Sequence, residues 1–193
     1  MIFIASDLKT TYHLYMPSHT LATLGGGCFW CLEAYYQRVN GVETVISGYS
    51  GGHLDNPTTN RVYMGDTGHA EVVQLSFDAK LISYEEILQI FFVMHDPTTL
   101  NRQGYDVGSE YRSVIFFHDK SQKETAERVA KDYAAELWSD PIVTQIVPFE
   151  KFWPADDYNQ DFYNSNPNVG YCQVIIDPKL QKLRQKFAAK LKS

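Results

Sequence analysis

The sequence lacks most of the features that mark membrane, secreted and nucleic-acid-binding proteins. Its 193 residues hold 17 Lys and Arg against 23 Asp and Glu, and a net charge of −6 argues against a basic nucleic-acid-binding face. No apolar run approaches the roughly 20 residues that a membrane-spanning helix needs. Residues 1–9, MIFIASDLK, lack the charged start and the small-residue cleavage site of a signal peptide. We therefore expect neither nucleic-acid nor membrane partners.

Cysteine is also scarce, and its number is odd. Three cysteines are too few for a disulfide scaffold, so they favour a reducing compartment, the cytoplasm, and thiol chemistry. The six histidines are scattered without the paired spacing of a zinc site, so a closed zinc site is not expected. No internal repeat or low-complexity linker divides the chain, which predicts a single domain.

Hydrophobic patterning predicts alternating strands and helices. Short apolar or alternating stretches predict strands over residues 20–24, 43–49, 70–78, 111–119, 141–149 and 173–176. Helical spacing of apolar residues predicts helices over residues 29–39, 83–95, 121–138 and 177–191. Ser83 and Ser121 each precede a Glu by three residues and predict capping boxes, and Asp177 is predicted to cap the last helix. This order fits an α+β fold, a two-layer mixed-sheet sandwich with a ferredoxin-like split βαβ core.

The stretch GGGCFWCLEA, residues 25–34, places Cys28 where a glycine loop meets the start of a helix. Free amides and the helix dipole at this end stabilise a thiolate, and we predict that they lower the pKa of Cys28. Cys31 completes a C-x-x-C one helical turn away, close enough for a strained disulfide. A cysteine that is only a packed small hydrophobe is the alternative, but such a residue needs no glycine loop.

Glu71 is the second informative residue, because it lies on the more apolar face of its strand. Its face also carries Val73, Leu75 and Phe77. A buried carboxyl there has a raised pKa and stays protonated near neutral pH. A glutamate at the strand's rim, paired or solvated, is equally compatible with the pattern.

Four spaced motifs resemble those of the class A peptide methionine sulfoxide reductases: GGGCFWCLEA, GYSGGHLDNPT, GDTGHAEVVQLSFD and HDPTT…QGYDVGSEYRS. The resemblance covers residues 21–177, between an N-terminal extension (1–20) and a C-terminal helix (178–193). It implies one catalytic domain that reduces the S epimer of methionine sulfoxide, free or in proteins, and so repairs oxidised proteins. It also implies a thioredoxin-like reductant and no metal or organic cofactor, and we expect a monomer.

The resemblance assigns roles to the residues that match. Cys28 would be the nucleophile, and Glu71 would be the acid that protonates the sulfoxide oxygen. Tyr111 would donate a hydrogen bond to that oxygen, and Asp106 would hold the site and assist proton movement. His69 matches its motif, but the match supplies no chemical role beyond packing or support.

The resemblance also implies a substrate pocket and includes two departures besides Cys31, which stands where relatives often have a glycine. Phe29 and Trp30 would form the apolar pocket for the substrate's methyl group. The family commonly has a tyrosine where Thr59 stands, and its phenol reaches the sulfoxide oxygen, so Tyr111 is expected to carry more of this task. Where Asn159 stands the family commonly has a histidine, and Asn159 receives no role.

Two cysteines are candidates to resolve a Cys28 sulfenic acid. Cys172 falls where relatives carry a resolving cysteine, although a predicted strand and helix follow it instead of a glycine-rich tail. Local geometry favours Cys31, which needs little movement to reach Cys28. We expect Cys31 to resolve the acid, with a relay from Cys31 to Cys172 as an alternative.

Three other functions fit parts of the same sequence. A thioredoxin-like disulfide oxidoreductase using Cys28 and Cys31 would reduce generic disulfides without Glu71. A cysteine hydrolase using Cys28 and His69 would turn over esters or amides. A non-enzymatic module with an aromatic groove would bind methionine peptides whether or not its thiols are alkylated.

Overall fold

The computed structural model describes residues 20–192, so the predicted extension lies outside the described residues except for its last position. In chain order the strands are β1 (Thr20–Gly25), β2 (Val42–Ser50), β3 (Ala70–Phe77), β4 (Arg102–Gln103), β5 (Asp106–Val107), β6 (Val114–Phe117), β7 (Gln145–Pro148) and β8 (Phe152–Pro154). The helices are α1 (Phe29–Tyr36), α2 (Thr59–Tyr63), α3 (Tyr84–Met94), α4 (Lys120–Arg128), α5 (Ala135–Leu137), α6 (Phe162–Ser165) and α7 (Asp177–Phe187). None of these helices is long and apolar enough to cross a membrane.

The main sheet confirms the predicted α+β class and the ferredoxin-like core. It has six strands in the order β7-β6-β1-β3-β2-β8, and β4 pairs with β5 in a separate ribbon. The four central strands pair antiparallel, with α1 between β1 and β2 and α3 between β3 and β6. This is the order of a split βαβ core, and β7 makes the sheet mixed because it pairs parallel with β6.

The two faces of β3 bury different sets of side chains. Val73 and Leu75 join the main core, which also takes in the apolar sides of α1 and α3. Ala70 and Val72 belong to a smaller cluster with residues of β6. Because side chains alternate along a strand, Glu71 lies on the side of the main core, as its sequence pattern predicted.

Of the two predicted capping boxes, one is confirmed and one is wrong. Ser83 Oγ accepts from the Glu86 amide at 3.2 Å, and the Glu86 carboxylate accepts from the Ser83 amide at 2.9 Å. At the second site Asp119 is the cap, and its Oδ1 accepts from the Gln122 amide at 2.8 Å. A carboxylate two residues earlier is as good a cap as a hydroxyl, so Ser121 falls within the first turn.

The strand predicted over residues 173–176 is also wrong. Cys172–Ile176 form a turn of π-helix that continues into α7, and Ile176 has helical dihedral angles, so Asp177 does not cap a helix start. A short apolar run does not distinguish a strand from a buried helix by its period. Here the deciding stripe is longer, because Cys172, Ile176, Leu180 and Leu183 are all buried at helical spacing.

Candidate active site

The glycine loop that follows β1 places Cys28 immediately before the first residue of α1. Gly27 has a φ of +92°, and a Cβ there would lie 2.5 Å from Cγ of Gln103, so this turn requires glycine. Cys28 is the N-cap residue of α1, and its side chain makes no capping hydrogen bond. Cys28 is thus fixed at the start of α1, but its thiol does not accept a hydrogen bond from the backbone amides of the first turn.

A carboxyl group takes the amide that the helix start leaves free. The Phe29 amide donates to Oε2 of Glu71 at 2.9 Å, which joins residues 42 positions apart. Glu71 is fully buried, and its Oε1 has no hydrogen-bond partner of normal length among the described residues. The carboxyl group therefore lies next to Cys28, and one of its oxygens makes no hydrogen bond of normal length.

Burial raises the pKa of Glu71 to about 8, although the Phe29 amide and the nearby Tyr63 phenol both lower it. The group is therefore mostly protonated at neutral pH, which agrees with the buried one of the two positions that the sequence pattern allowed. Because Oε2 accepts the Phe29 amide, the proton belongs on Oε1, where it has no partner to share it. This is the state that a general acid needs before it donates.

The predicted low pKa of Cys28 is wrong. Burial raises the pKa of Cys28 well above its usual value, and the hydrogen bond with Cys31 and the charge of Glu71 raise it further. Cys31 behaves in the opposite way, because the hydrogen bond from Cys28 lowers its pKa to about 6. The interactions within this pair therefore shift the two pKa values in opposite directions, upward for Cys28 and downward for Cys31.

Tyr171 connects this thiol pair to Asp106. The Tyr171 hydroxyl lies 3.8 Å from Sγ of Cys31 and donates to Oδ2 of Asp106 at 2.9 Å. Tyr171 and Lys179 both help to lower the pKa of Cys31. Sequence reasoning missed Tyr171, because 140 residues separate it from Cys31 and no local pattern joins them.

The third cysteine, Cys172, interacts electrostatically with Cys31. Cys172 is fully buried, and all three described cysteines are free. Burial raises the pKa of Cys172, with contributions from the charges of Asp177 and Cys31. Cys31 therefore interacts with both other thiols, in the series Cys28, Cys31, Cys172.

Two phenols stand near the free oxygen of Glu71. Burial raises the pKa of Tyr111, and the neighbouring charges of Glu71 and Cys28 raise it further. The ring centroids of Tyr63 and Tyr111 are 6.5 Å apart. Tyr111 thus joins the site as expected, whereas Tyr63 was not foreseen, although it follows the Thr59 departure by one helical turn.

Aromatic rings surround the start of α1. Phe29 is fully buried, and its ring centroid lies 5.7 Å from that of Tyr49 and 6.2 Å from that of Trp30. The half-buried Trp30 stacks on Phe162, with centroids 3.7 Å apart and planes 6° from parallel. Both residues expected to form a methyl pocket therefore belong to one rigid aromatic group beside Cys28.

The two departures from the family pattern contact each other. Asn159 accepts from the Trp30 indole at 3.2 Å and donates to Oγ1 of Thr59, also at 3.2 Å. Thr59 is buried and further accepts from the Tyr49 hydroxyl at 2.9 Å. Asn159 thus orients Trp30, a task that the sequence did not reveal, and Thr59 faces this network.

His69 has a structural task away from the thiols. Its Nδ1 accepts from the Gly52 amide at 3.0 Å, so the ring is neutral and its Nε2 donates to the Leu54 carbonyl at 2.8 Å. Both ring nitrogens are therefore occupied by the loop at residues 51–54. Within residues 20–192 no group of three or more His, Cys, Asp and Glu side chains is placed to hold a metal ion.

Comparison with known proteins gives consistent matches. A family model described as peptide methionine sulfoxide reductase matches residues 20–191. The peptide methionine sulfoxide reductase MsrA of Sulfolobus acidocaldarius is 54% identical over 170 residues, which cover 88% of this chain and 96% of that protein. Mxr1 from Saccharomyces cerevisiae in reduced form has a TM-score of 0.74 and 34% identity, over 82% of this chain and 92% of Mxr1. Mxr1 in complex with Trx2 has a TM-score of 0.53 and 26% identity, over 79% of this chain and 91% of that one.

Proposed function

Because the chain belongs to the peptide methionine sulfoxide reductase family, we propose that Cys28 and Glu71 carry out the family's reaction here on the S epimer of methionine sulfoxide. The chain is an enzyme, and its reaction is the thiol-dependent reduction of methionine sulfoxide. One observation carries the assignment of roles. A buried, protonated carboxyl group with an unpartnered oxygen lies beside a free thiol at a helix start.

The first step makes methionine and a sulfenic acid. The Cys31 thiolate takes the Cys28 proton, and the Cys28 thiolate attacks the sulfoxide sulfur. Glu71 donates its proton to the oxygen as charge builds there, with Tyr111 as a further hydrogen-bond donor. The protonated oxygen then moves to the Cys28 sulfur, as the substrate's S–O bond and the S–S bond formed by the attack both break. The substrate sulfur has gained two electrons and leaves as a thioether, and Cys28 holds the oxygen as a sulfenic acid. Phe29 and Trp30 enclose the substrate's methyl group.

The second step forms a disulfide within the chain and releases the oxygen as water. Cys31 gives up the proton that it took in the first step and attacks the Cys28 sulfur. An S–S bond forms, the S–O bond breaks, and the leaving hydroxide takes up one proton to become water. The positions of the two cysteines support this order of events, because Cys31 lies one helical turn after Cys28 and its amide donates to the Cys28 carbonyl at 3.1 Å. Lys179 helps to stabilise the charge on Cys31, and Asp106 accepts the Tyr171 hydroxyl and so positions that ring beside Cys31. A transfer of the disulfide onward to Cys172 is the alternative route.

A thioredoxin-like dithiol then reduces the disulfide. Mxr1, which is similar to this chain, has been solved in complex with Trx2. The chemistry needs reduced thiols, which supports a reducing compartment such as the cytoplasm, and it needs no metal or organic cofactor. The proposed steps need no residue from a second copy, so one catalytic domain suffices for them, and we propose that the protein works as a monomer.

One experiment separates this reaction from its rivals. Fully reduced protein is mixed with methionine sulfoxide in the absence of reductant, and free thiols and methionine are both counted. We expect one methionine formed and two thiols lost per chain. Methionine formed without thiol loss, thiol loss without methionine, or neither would each refute the reaction. Cys28→Ser is the blank.

The same reaction should have a bell-shaped pH profile. The single-turnover rate needs one thiolate in the Cys28 and Cys31 pair, and the pKa of Cys31 is about 6. It also needs a protonated Glu71, whose pKa is about 8. We therefore expect the rate to rise as pH passes about 6 and to fall as pH passes about 8, measured as methionine formed in the first turnover. A rate that keeps rising to pH 9.5 would contradict the acid role of Glu71.

A further inference from the structure

A second phenol stands at the mouth of the site and has no task in the steps above. Tyr63 is the last residue of α2, and its residue surface is 45% exposed. It lies next to Tyr111, with ring centroids 6.5 Å apart, and its phenol approaches Glu71 without a hydrogen bond of normal length. The side chain thus faces the reacting groups while remaining open to solvent.

The helix that carries Tyr63 is held firmly on its other side. Val62 is buried beneath it, and the Thr58 side chain caps its first turn. Arg61 forms an ion pair with Asp66, with an Nη2–Oδ2 distance of 2.9 Å, across the turn that follows. Core packing therefore does not need the ring of Tyr63, since α2 is anchored by its neighbours.

Burial of Thr59 explains why the phenol comes from one turn further along. Thr59 faces inward, where it bonds Asn159 and the Tyr49 hydroxyl, and a tyrosine there would displace both contacts. Residues four apart lie on one side of a helix, so a ring at position 63 extends past Thr59 toward Glu71. Helix α2 therefore supplies a phenol from Tyr63 in place of the one that Thr59 lacks.

We propose that Tyr63 donates a hydrogen bond to the substrate's sulfoxide oxygen, opposite Tyr111 and beside the free Oε1 of Glu71. This role rests on the reaction proposed above. The oxygen gains negative charge when its sulfur is attacked, and donors placed in advance stabilise it more in the transition state than in the bound substrate. Two phenols and one carboxyl group would then surround one oxygen.

The test is a set of phenylalanine variants in single turnover at saturating methionine sulfoxide. We expect Tyr63→Phe to lower the rate about 10- to 100-fold, Tyr111→Phe to lower it by a similar factor, and the double variant to lower it further. Tyr133→Phe, on the remote helical segment between α4 and α5, is the matched control and should keep the wild-type rate.

A pH profile distinguishes a donor from a residue that only shapes the loop. The phenol of Tyr63 lowers the pKa of Glu71, so Tyr63→Phe should move the falling limb of the profile to higher pH. A Tyr63→Phe rate within about twofold of the Tyr133→Phe rate would overturn the inference, as would a slow variant whose falling limb has not moved. A wild-type protein that forms no methionine would instead refute the reaction itself.

Discussion

Replacing Glu71 with glutamine is expected to slow methionine formation in a single turnover by about 10²–10⁴-fold, the usual contribution of a general acid. The amide keeps the shape of the side chain, and its oxygen still accepts the Phe29 amide, now bonded to Oε2 at 2.9 Å. What it lacks is a proton that it can transfer from the Oε1 position. The measurement is rapid-quench detection of methionine with reduced protein and no reductant.

Protein stability provides the control, because it should change in the opposite direction. The pKa of Glu71 is raised to about 8 when the protein is folded, so between its unfolded value and pH 8 the folded state holds a proton that the unfolded state has lost. This group therefore makes the wild type less stable as pH rises through that window. Glu71→Gln should match the wild type near pH 4 and exceed it above pH 8, by an amount on the order of a few kcal/mol.

Two outcomes would count against the acid role of Glu71. The first is a Glu71→Gln rate within about threefold of the wild-type rate, which leaves no room for general acid catalysis. The second is a variant that is slow and also less stable at every pH, since a folding defect would then explain the loss. Glu136→Gln, an exposed change on α5, should alter neither the rate nor the stability.

Cys31→Ser is expected to have the second-largest effect, at both steps of the reaction. At neutral pH the variant loses the thiolate that takes the Cys28 proton, and it loses the thiol that lies closest to the sulfenic acid. We expect the Cys28 sulfenic acid to accumulate and thioredoxin-driven turnover to fall at least about tenfold. Without a nearby resolving thiol, the sulfenic acid can react only with a thiol from another molecule.

Cys172→Ala is the matched variant, and comparison of the two identifies the resolving thiol. Cys172 is fully buried, so alanine avoids placing an unpartnered hydroxyl in the core. Peptide mass mapping after reaction with methionine sulfoxide should find a Cys28–Cys31 bond in the wild type and in Cys172→Ala. A Cys28–Cys172 bond formed at the wild-type rate in Cys31→Ser, with full turnover, would make Cys31 structural. Loss of turnover in Cys172→Ala alone would favour the relay.

Local patterns predicted the main parts of the fold and drew attention to the two residues, Cys28 and Glu71, to which we assign the reaction. The start of α1 at a glycine loop and the buried face of Glu71 both follow from spacing along one segment, and both are found in the structure. The ferredoxin-like order followed from the alternation of strands and helices. Such features can be predicted from the sequence because each depends on residues within a few positions of one another. The strand predicted for residues 173–176 was wrong for the same reason, since these four residues taken alone fit either a strand or a helix.

Contacts between distant segments decided the rest of the site. The helix start alone argued for an activated Cys28, but Glu71 takes the Phe29 amide from 42 residues away, and burial raises the pKa of the thiol instead. The thiol whose pKa is lowered is Cys31 instead, next to Tyr171, which is 140 residues distant. Burial and charge pairing set a pKa, and both are properties of the folded assembly that no local spacing encodes.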